Sequence, residues 1–399
     1  MTVVAIISEY NPFHSGHAYQ IKRIREEFGE DTAIISIMSG NYTQRGEAAF
    51  MPKDVRAKCA VLGGANLVLE LPFPFSTASA DLFAKSGVKI AESLGIVDYI
   101  SFGSESGDIN LLYNAARVYL CDEFKKEFSN LLNDKSLGYP ARCELAYKAV
   151  CGECDVSFTP NNILAIEYIK ALLESGSTIK AHTVKRNGAS YNSEAFEDAS
   201  NQSASAIRNA FNASDKAALD YIPDVCKNII SASEKNGDLP CDISRLSPAF
   251  ISKLRLSSSL PSEDYHDAND GLYNRLYNIS FEANDITSLL KLSETKNYTK
   301  ARIRRALLNV FFGVTSSVVK ALPKFTQILA MDSIGMHLLK QVKKTEFKIL
   351  TKPSAYEHFD EIEMNQKRLS DTADAIFELT KPIPKHGKSV LKFTPFIKK

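Results

Sequence analysis

Two histidines stand three residues apart in the stretch Asn11-Pro12-Phe13-His14-Ser15-Gly16-His17, with Gly16 between them. Imidazole N–H groups can meet the charge that builds on a phosphoryl group as it is displaced. Gly16 permits close approach of backbone to a ligand. A helix opening here offers N–H groups and a partial positive charge, a seat for phosphate. The loop holds no lysine and no G-x-x-x-x-G-K pattern, so it is not a P-loop. Two histidines at a turn can also be surface or capping residues. Their position directly after a predicted first strand favours chemistry. Gln44 and Arg45 lie in the loop after a predicted second strand, on the side where open α/β sheets bind ligands. Arg45 could bind a carboxylate, pyrophosphate or RNA phosphate, or be a plain exposed arginine.

The elements that must carry these groups are short and apolar. Val3 to Ile7, Ala33 to Met38, Asn66 to Leu71, Tyr99 to Phe102 and Thr178 to Val184 read as buried strands. Helical spacing runs from about His17 to Phe28, from Ser79 to Leu94 and from Asn161 to Leu173. This alternation predicts an α/β fold with a doubly wound, parallel, Rossmann-like sheet. Beyond about residue 215 strand-like runs become rare. Leu272, Leu276, Ile279, Ile286, Leu289 and Leu290 recur at helical spacing, which predicts a mostly α-helical second half. The polar stretch Ser231 to Asp242 suggests the boundary, giving residues 1–230 as a catalytic domain and 231–399 as a helical domain.

A length of 399 residues also argues for two domains. Hydrophobic residues at 44% and charged residues at 24% argue against a disordered chain. With 48 Lys and Arg against 47 Asp and Glu, any nucleic-acid surface must be a local patch. Two basic stretches qualify. Lys291, Lys296, Lys300, Arg302, Arg304 and Arg305 have Tyr298 among them and only Glu294 opposing; residues 379–399 hold six lysines and no acid. A solvated helix face is the plainer explanation; RNA phosphate binding is the functional one. Tyr298 could stack on a base or be buried.

No apolar run approaches the roughly 18 residues that span a bilayer. Nor does a positive region precede the first apolar run, so neither a membrane span nor a signal peptide is expected. Seven cysteines, an odd number, suit reduced thiols in the cytoplasm. Cys143, Cys151 and Cys154 include one C-x-x-C, but a zinc site needs about four ligands. No metal site is assigned, and the sequence leaves these cysteines open.

The histidine pair after a first strand resembles the nucleotidyltransferase superfamily with the H-x-G-H signature. Its members bind ATP and direct a nucleophile to the α-phosphate. They often carry a downstream Ser-rich turn ending in Ser/Thr-x-x-Arg, which Ser203-Ala204-Ser205-Ala206-Ile207-Arg208 matches. Its hydroxyls and guanidinium could bind the β- and γ-phosphates, though S-x-S-x-x-R alone is more often a helix N-cap. A closer resemblance rests on blocks that run in order through both halves. They are Glu9 to His17, Met38 to Glu47, Leu69 to Pro72, Phe102 to Glu105, Pro160 to Tyr168, Ser203 to Arg208 and Gly271 to Leu276. Together they resemble the bacterial tRNA(Met) cytidine acetate ligases.

That resemblance implies a two-step reaction. Acetate attacks the α-phosphate of ATP to give acetyl-adenylate and pyrophosphate. The wobble cytidine amine of elongator tRNA(Met) then takes the acetyl group, giving N4-acetylcytidine and AMP. ATP, with Mg2+, and acetate are the implied small molecules, and no protein partner is implied. ATP would lie along Ile7, Ser8, Glu9, Tyr10, Asn11, Pro12, Phe13, His14, Ser15, Gly16, His17, Ala18, Tyr19 and Gln20. Gly103, Asn162, Arg186, Ser203 and Ser205 would add contacts, with His14, His17 and Arg208 catalytic. Arg45, Lys296, Lys300, Arg302, Arg304 and Arg305 would face RNA. Two departures from the family pattern stand out: Ala48 where proline is usual, and Asn297 where a basic residue is expected. A small-molecule adenylyl- or cytidylyltransferase would share H-x-G-H but needs neither the helical second half nor the basic tail. A tRNA-binding protein with a relic nucleotide site is disfavoured by the intact His14, Gly16, His17, Ser205 and Arg208.

Overall fold

The computed structural model describes residues 1–132, 137–153, 156–186, 203–213, 215–261, 263–342, 346–352, 354 and 356–398. Five strands fall where the apolar runs predict them: β1 (Val3–Ser8), β2 (Ala33–Ser39), β3 (Leu67–Leu71), β4 (Tyr99–Ser104) and β5 (Lys180–Lys185). They lie parallel in the order β5-β4-β1-β2-β3. The order reverses between β1 and β4, and such a switch point opens a ligand crevice at the carboxyl ends of the strands.

Period-two alternation assigns β1 to two cores. Val3, Ala5 and Ile7 pack on one side of the sheet with the helices Ala80–Leu94, Ile109–Leu120 and Pro160–Ser175. Val4 and Ile6 pack on the other with Ser15–Phe28, Lys53–Leu62, Ala204–Asn212 and Asp224–Lys235. With both faces covered, the strands carry continuous apolar runs, as in the fully buried β2. Gly87 lets its helix rest directly on β1, since a Cβ there would stand 2.5 Å from Ile7 Cδ1.

The second half is mostly helical, yet it also contributes strands. β6 (Phe325–Met331) runs antiparallel beside β3, pairing Leu67 with Met331 and Val68 with Ala330. β7 (Lys348–Leu350) and β8 (Phe396–Ile397) share the outer edge of β6. The helices between residues 247 and 312 and the helix Glu361–Phe377 join the same apolar core as β1 and β3. Residue 231 therefore marks a change of texture, while sheet and core run across it.

A buried ion cluster fixes this closure. The Lys53 ammonium lies 2.7 and 2.8 Å from the two carboxylate oxygens of Glu70 and also meets Asp374, 321 residues away. Burial by itself would lower the Lys53 pKa, but Asp374 and Glu70 more than offset it and hold it above its usual value. Two carboxylates share one ammonium; burial, opposed by Lys53 and reinforced by Asp374, pushes Glu70 up to about 7. A cavity of about 190 Å³ opens beside the cluster, lined in part by Lys381, Lys385 and Lys392. The lysine-rich tail is thus folded back: Lys381 and Lys385 pair with Asp238, and Lys381 with Glu378.

Candidate functional site

The histidine loop leaves β1 at the switch point. His14 caps the helix Ser15–Phe28. Its Nδ1 accepts the Gly16 N–H at 3.0 Å, and His17 Nδ1 accepts the His14 N–H at 3.2 Å. With both Nδ1 atoms accepting, each neutral ring carries its proton on Nε2. The sequence predicts both helix N–H groups and imidazole N–H groups as donors to an anion here; the Gly16 N–H is engaged by an imidazole, and the two Nε2–H groups remain as donors. Gly16 serves this packing: a Cβ there would fall 2.9 Å from His14 Cε1. The two rings are 3.9 Å apart, and Tyr10 meets His17 edge-on at 4.8 Å.

Burial, then the charges of Arg186 and Arg208, lowers the His14 pKa to about 3. Burial, then His14 and Arg186, holds His17 well below its usual value, although part of His17 remains open to solvent. Both rings are therefore neutral donors at physiological pH. The folded state refuses a proton that the unfolded chain takes below about pH 6.5, so this stability is present above that value and lost on acidification. A single buried neutral histidine accounts for about 1.4 kcal/mol per pH unit below 6.5. His14→Asn should flatten the fall in melting temperature between about pH 6.5 and 5; a slope equal to wild type would contradict the assignment.

The downstream motif reaches the same loop. Ser203 caps the helix Ala204–Asn212, its Oγ accepting the Ala206 N–H at 3.1 Å. Ser205 Oγ accepts from Arg208 at 3.1 Å, and Arg208 donates to the Asn11 carbonyl at 2.8 Å. Ser203 is thus a cap, while Ser205 aims the guanidinium at the histidine loop. Across the switch point, a Cβ on Gly103 would touch the Arg186 side chain at 3.2 Å. Arg186 is exposed and follows β5, its N–H bonding to Ser104. His14, His17, Gly103, Arg186, Ser205 and Arg208 are therefore gathered around the switch point, where an open α/β sheet binds its ligand.

Other predicted contacts are positioning groups. Asn162 is fully buried. Its Oδ1 accepts the Glu105 and Ser106 N–H groups at 3.0 and 3.2 Å, and its amide donates to Ser157. It holds the turn after β4. Within the loop, Ile7, Tyr10 and Phe13 are packed in the cores. Asn11 Oδ1 accepts the Phe50 N–H, and Gln20 donates to Ser101. Asn11–Pro12 is a cis peptide.

Sequence reasoning missed Arg56. Fully buried, it donates to the carbonyls of Met51, Glu9, Ser39 and Gly40, tying the ends of β1 and β2 to the loop that follows β2. Its separations of 5 to 47 residues left no local signal. Glu105 was visible only inside its block; its carboxylate takes Thr159, Asn161 and the Asn162 N–H.

The basic stretch needs correction. Glu294 is not its only opponent. Arg305 is buried and pairs with Asp267 at 2.6 Å; Arg302 pairs with Asp270 at 2.8 Å; Arg304 meets Glu47. Asp267 and Asp270 stand at left-handed backbone positions in a turn that sequence spacing does not align with the helix Lys300–Phe312. Tyr298 is half-buried, donates to the Asp270 carbonyl and lies under Arg302. Lys291, Lys296 and Lys300 remain exposed. Arg45 sits in a turn whose Gly46 abuts that helix: a Cβ there would fall 2.7 Å from the Arg305 nitrogen.

Cys143 is buried and Cys151 exposed, on one helix; Cys154 lies outside the described residues. Among the described residues no group of three His, Cys, Asp or Glu side chains could hold a metal ion. No helix among them is long and apolar enough to cross a membrane.

The HIGH nucleotidyl transferase family model matches residues 1–389. The tRNA(Met) cytidine acetate ligase of Thermoanaerobacter sp. (strain X514) is 35% identical over 381 residues, 93% of this chain and 94% of the relative. That of Caldanaerobacter subterraneus subsp. tengcongensis is 36% identical over 365 residues, covering 89% and 90%. The apo crystal structure of Thermotoga maritima TmcAL superposes with a TM-score of 0.92 at 29% identity, covering 100% of this chain and 99% of the other. The same protein bound to alpha-thio ATP gives 0.89 at 28% identity, covering both chains fully. The family model, these relatives and the matching fold show that the chain belongs to the HIGH nucleotidyltransferases and, within them, to the tRNA(Met) cytidine acetate ligase family.

Proposed function

We propose that the chain activates acetate with ATP and transfers the acetyl group to the wobble cytidine of elongator tRNA(Met). The observation that carries the reading is the pair of neutral imidazoles with Nδ1 engaged, leaving two Nε2–H donors beside Arg208 at the switch point. Adenylation needs orientation and charge stabilisation rather than a covalent nucleophile. ATP would lie with its phosphates between the histidine loop, Arg186 and Arg208. Mg2+ would arrive on the phosphates, because no described cluster offers it a cage. All described cysteines are free thiols, in keeping with work in the cytoplasm. The test is acetyl donor choice. Labelled acetate plus ATP should label tRNA with purified protein; labelling that requires acetyl-CoA would overturn the reading.

Residues 1–230 would hold the nucleotide and residues 231–399 would supply the main RNA surface. The exposed Lys291, Lys296 and Lys300 carry no ion pair among the described residues; Arg302 and Arg304 share the helix that Lys300 opens, and Arg45 sits in the turn that abuts it. Arg305 is a structural clamp, so replacing it would test folding rather than RNA binding. The triple substitution of Lys291, Lys296 and Lys300 to alanine should weaken tRNA binding. Its salt dependence should flatten by up to about 0.7–0.9 in slope per lost phosphate contact. Melting temperature and ATP affinity should hold. An unchanged salt slope would place the RNA surface elsewhere.

A further inference from the structure

One group in the histidine loop does not fit a phosphate site. Glu9 is the only carboxylate between Ile7 and Gln20. An anion repels a triphosphate, so its presence at the carboxyl end of β1 needs another explanation. Its Oε1 accepts the Gln44 N–H at 2.9 Å. Its own carbonyl is held by Arg56. The residue is half-buried, so part of it lies open to solvent.

Its neighbours show which side it faces. The turn Tyr42–Ala48 that pins Glu9 through Gln44 also abuts the helix Lys300–Phe312. Gly46 touches the Arg304–Arg305 backbone and Glu47 pairs with Arg304. Glu9 therefore stands where the nucleotide crevice meets the helix at the basic surface. Arg208 on one side, Arg45 and Glu47 on the turn, and Arg56 beneath are the charged groups around it.

We propose that Glu9 is the base of the acetyl-transfer step, accepting the proton of the cytidine N4 amine. The proposal rests on the acetate–tRNA ligase reading. In that step the N4 lone pair attacks the acetyl carbonyl carbon of acetyl-adenylate. The carbonyl carbon–oxygen bond to AMP breaks, AMP leaves with the electron pair, and one N–H proton passes to the Glu9 carboxylate. His14 and His17 cannot take it, because their Nδ1 atoms are occupied and their Nε2 atoms already carry protons. Burial, opposed by the Gln44 N–H and Arg208, raises the Glu9 pKa above the ordinary 4.5, which strengthens it as a base.

The test separates the two half-reactions. Glu9→Gln keeps the size and the acceptor for Gln44. Its acetyl transfer from preformed acetyl-adenylate to tRNA should fall about 10²–10⁴-fold, the scale of general-base catalysis. Acetate-dependent ATP–pyrophosphate exchange should fall far less. Wild type should show an acid limb in the transfer rate, lost in Glu9→Gln. Glu9→Asp, which keeps the charge, should recover part of the rate. Exchange and transfer falling in step would assign Glu9 to adenylation and overturn the proposal, as would a normally melting Glu9→Asp as inactive as Glu9→Gln. Wild type run in parallel distinguishes the readings. An inactive wild type overturns the ligase reading itself, whereas full transfer by Glu9→Gln beside an active wild type overturns Glu9 alone.

Discussion

Replacing His17 with alanine is expected to slow acetate-dependent pyrophosphate release by about 10²–10³-fold, or roughly 2.7–4 kcal/mol, the effect of removing one donor preorganised toward developing charge. The ring is a neutral Nε2–H donor because burial, His14 and Arg186 disfavour its protonation and because Nδ1 accepts the His14 N–H. It therefore supplies a fixed dipole without a proton to lose. Alanine also removes the acceptor for the His14 N–H, and losing a helix cap costs about 0.5–2 kcal/mol of stability. A melt must accompany the kinetics. His17→Gln, which can still donate, should recover part of the rate. Pyrophosphate release at the wild-type rate in His17→Ala would remove the loop from the chemistry.

The second large effect concerns the fold. Lys53→Met is expected to destabilise the protein by about 3–5 kcal/mol, because it leaves Glu70 and Asp374 buried without their cation. Denaturant unfolding measures the loss. Adding Asp374→Asn should return a substantial part of it, since the two sites share one network. Additive losses would mean that the lysine acts through packing of its stem. Because Asp374 lies on the helix Glu361–Phe377, this cluster also helps to fasten the last part of the chain to the half that carries the histidine loop.

What the sequence discloses follows the distance over which each feature is encoded. The five parallel strands were legible because each is a short continuous apolar run buried on both faces. The candidate histidine site was legible because its histidines and glycine fall in the single stretch His14 to His17. Ser205 and Arg208 were legible as a motif, while the bond from Arg208 to Asn11, 197 residues away, was not. β6 escaped because Phe325–Met331 stands alone among helices and finds its partner in β3, more than 250 residues earlier. The arginines of the helix Lys300–Phe312 looked like a free basic face because their acids sit in a turn 32 to 38 residues upstream and in the Gly46 turn. Arg56 gave no signal, since its partners are main-chain carbonyls, which no side-chain pattern marks.

The most direct measurement is nucleoside mass spectrometry on elongator tRNA(Met) incubated with purified protein, ATP and deuterated acetate. The account predicts N4-acetylcytidine at the wobble position carrying the deuterated acetyl group, with one AMP and one pyrophosphate formed per modified base. Unmodified cytidine, or an acetyl group that carries no deuterium, would contradict it.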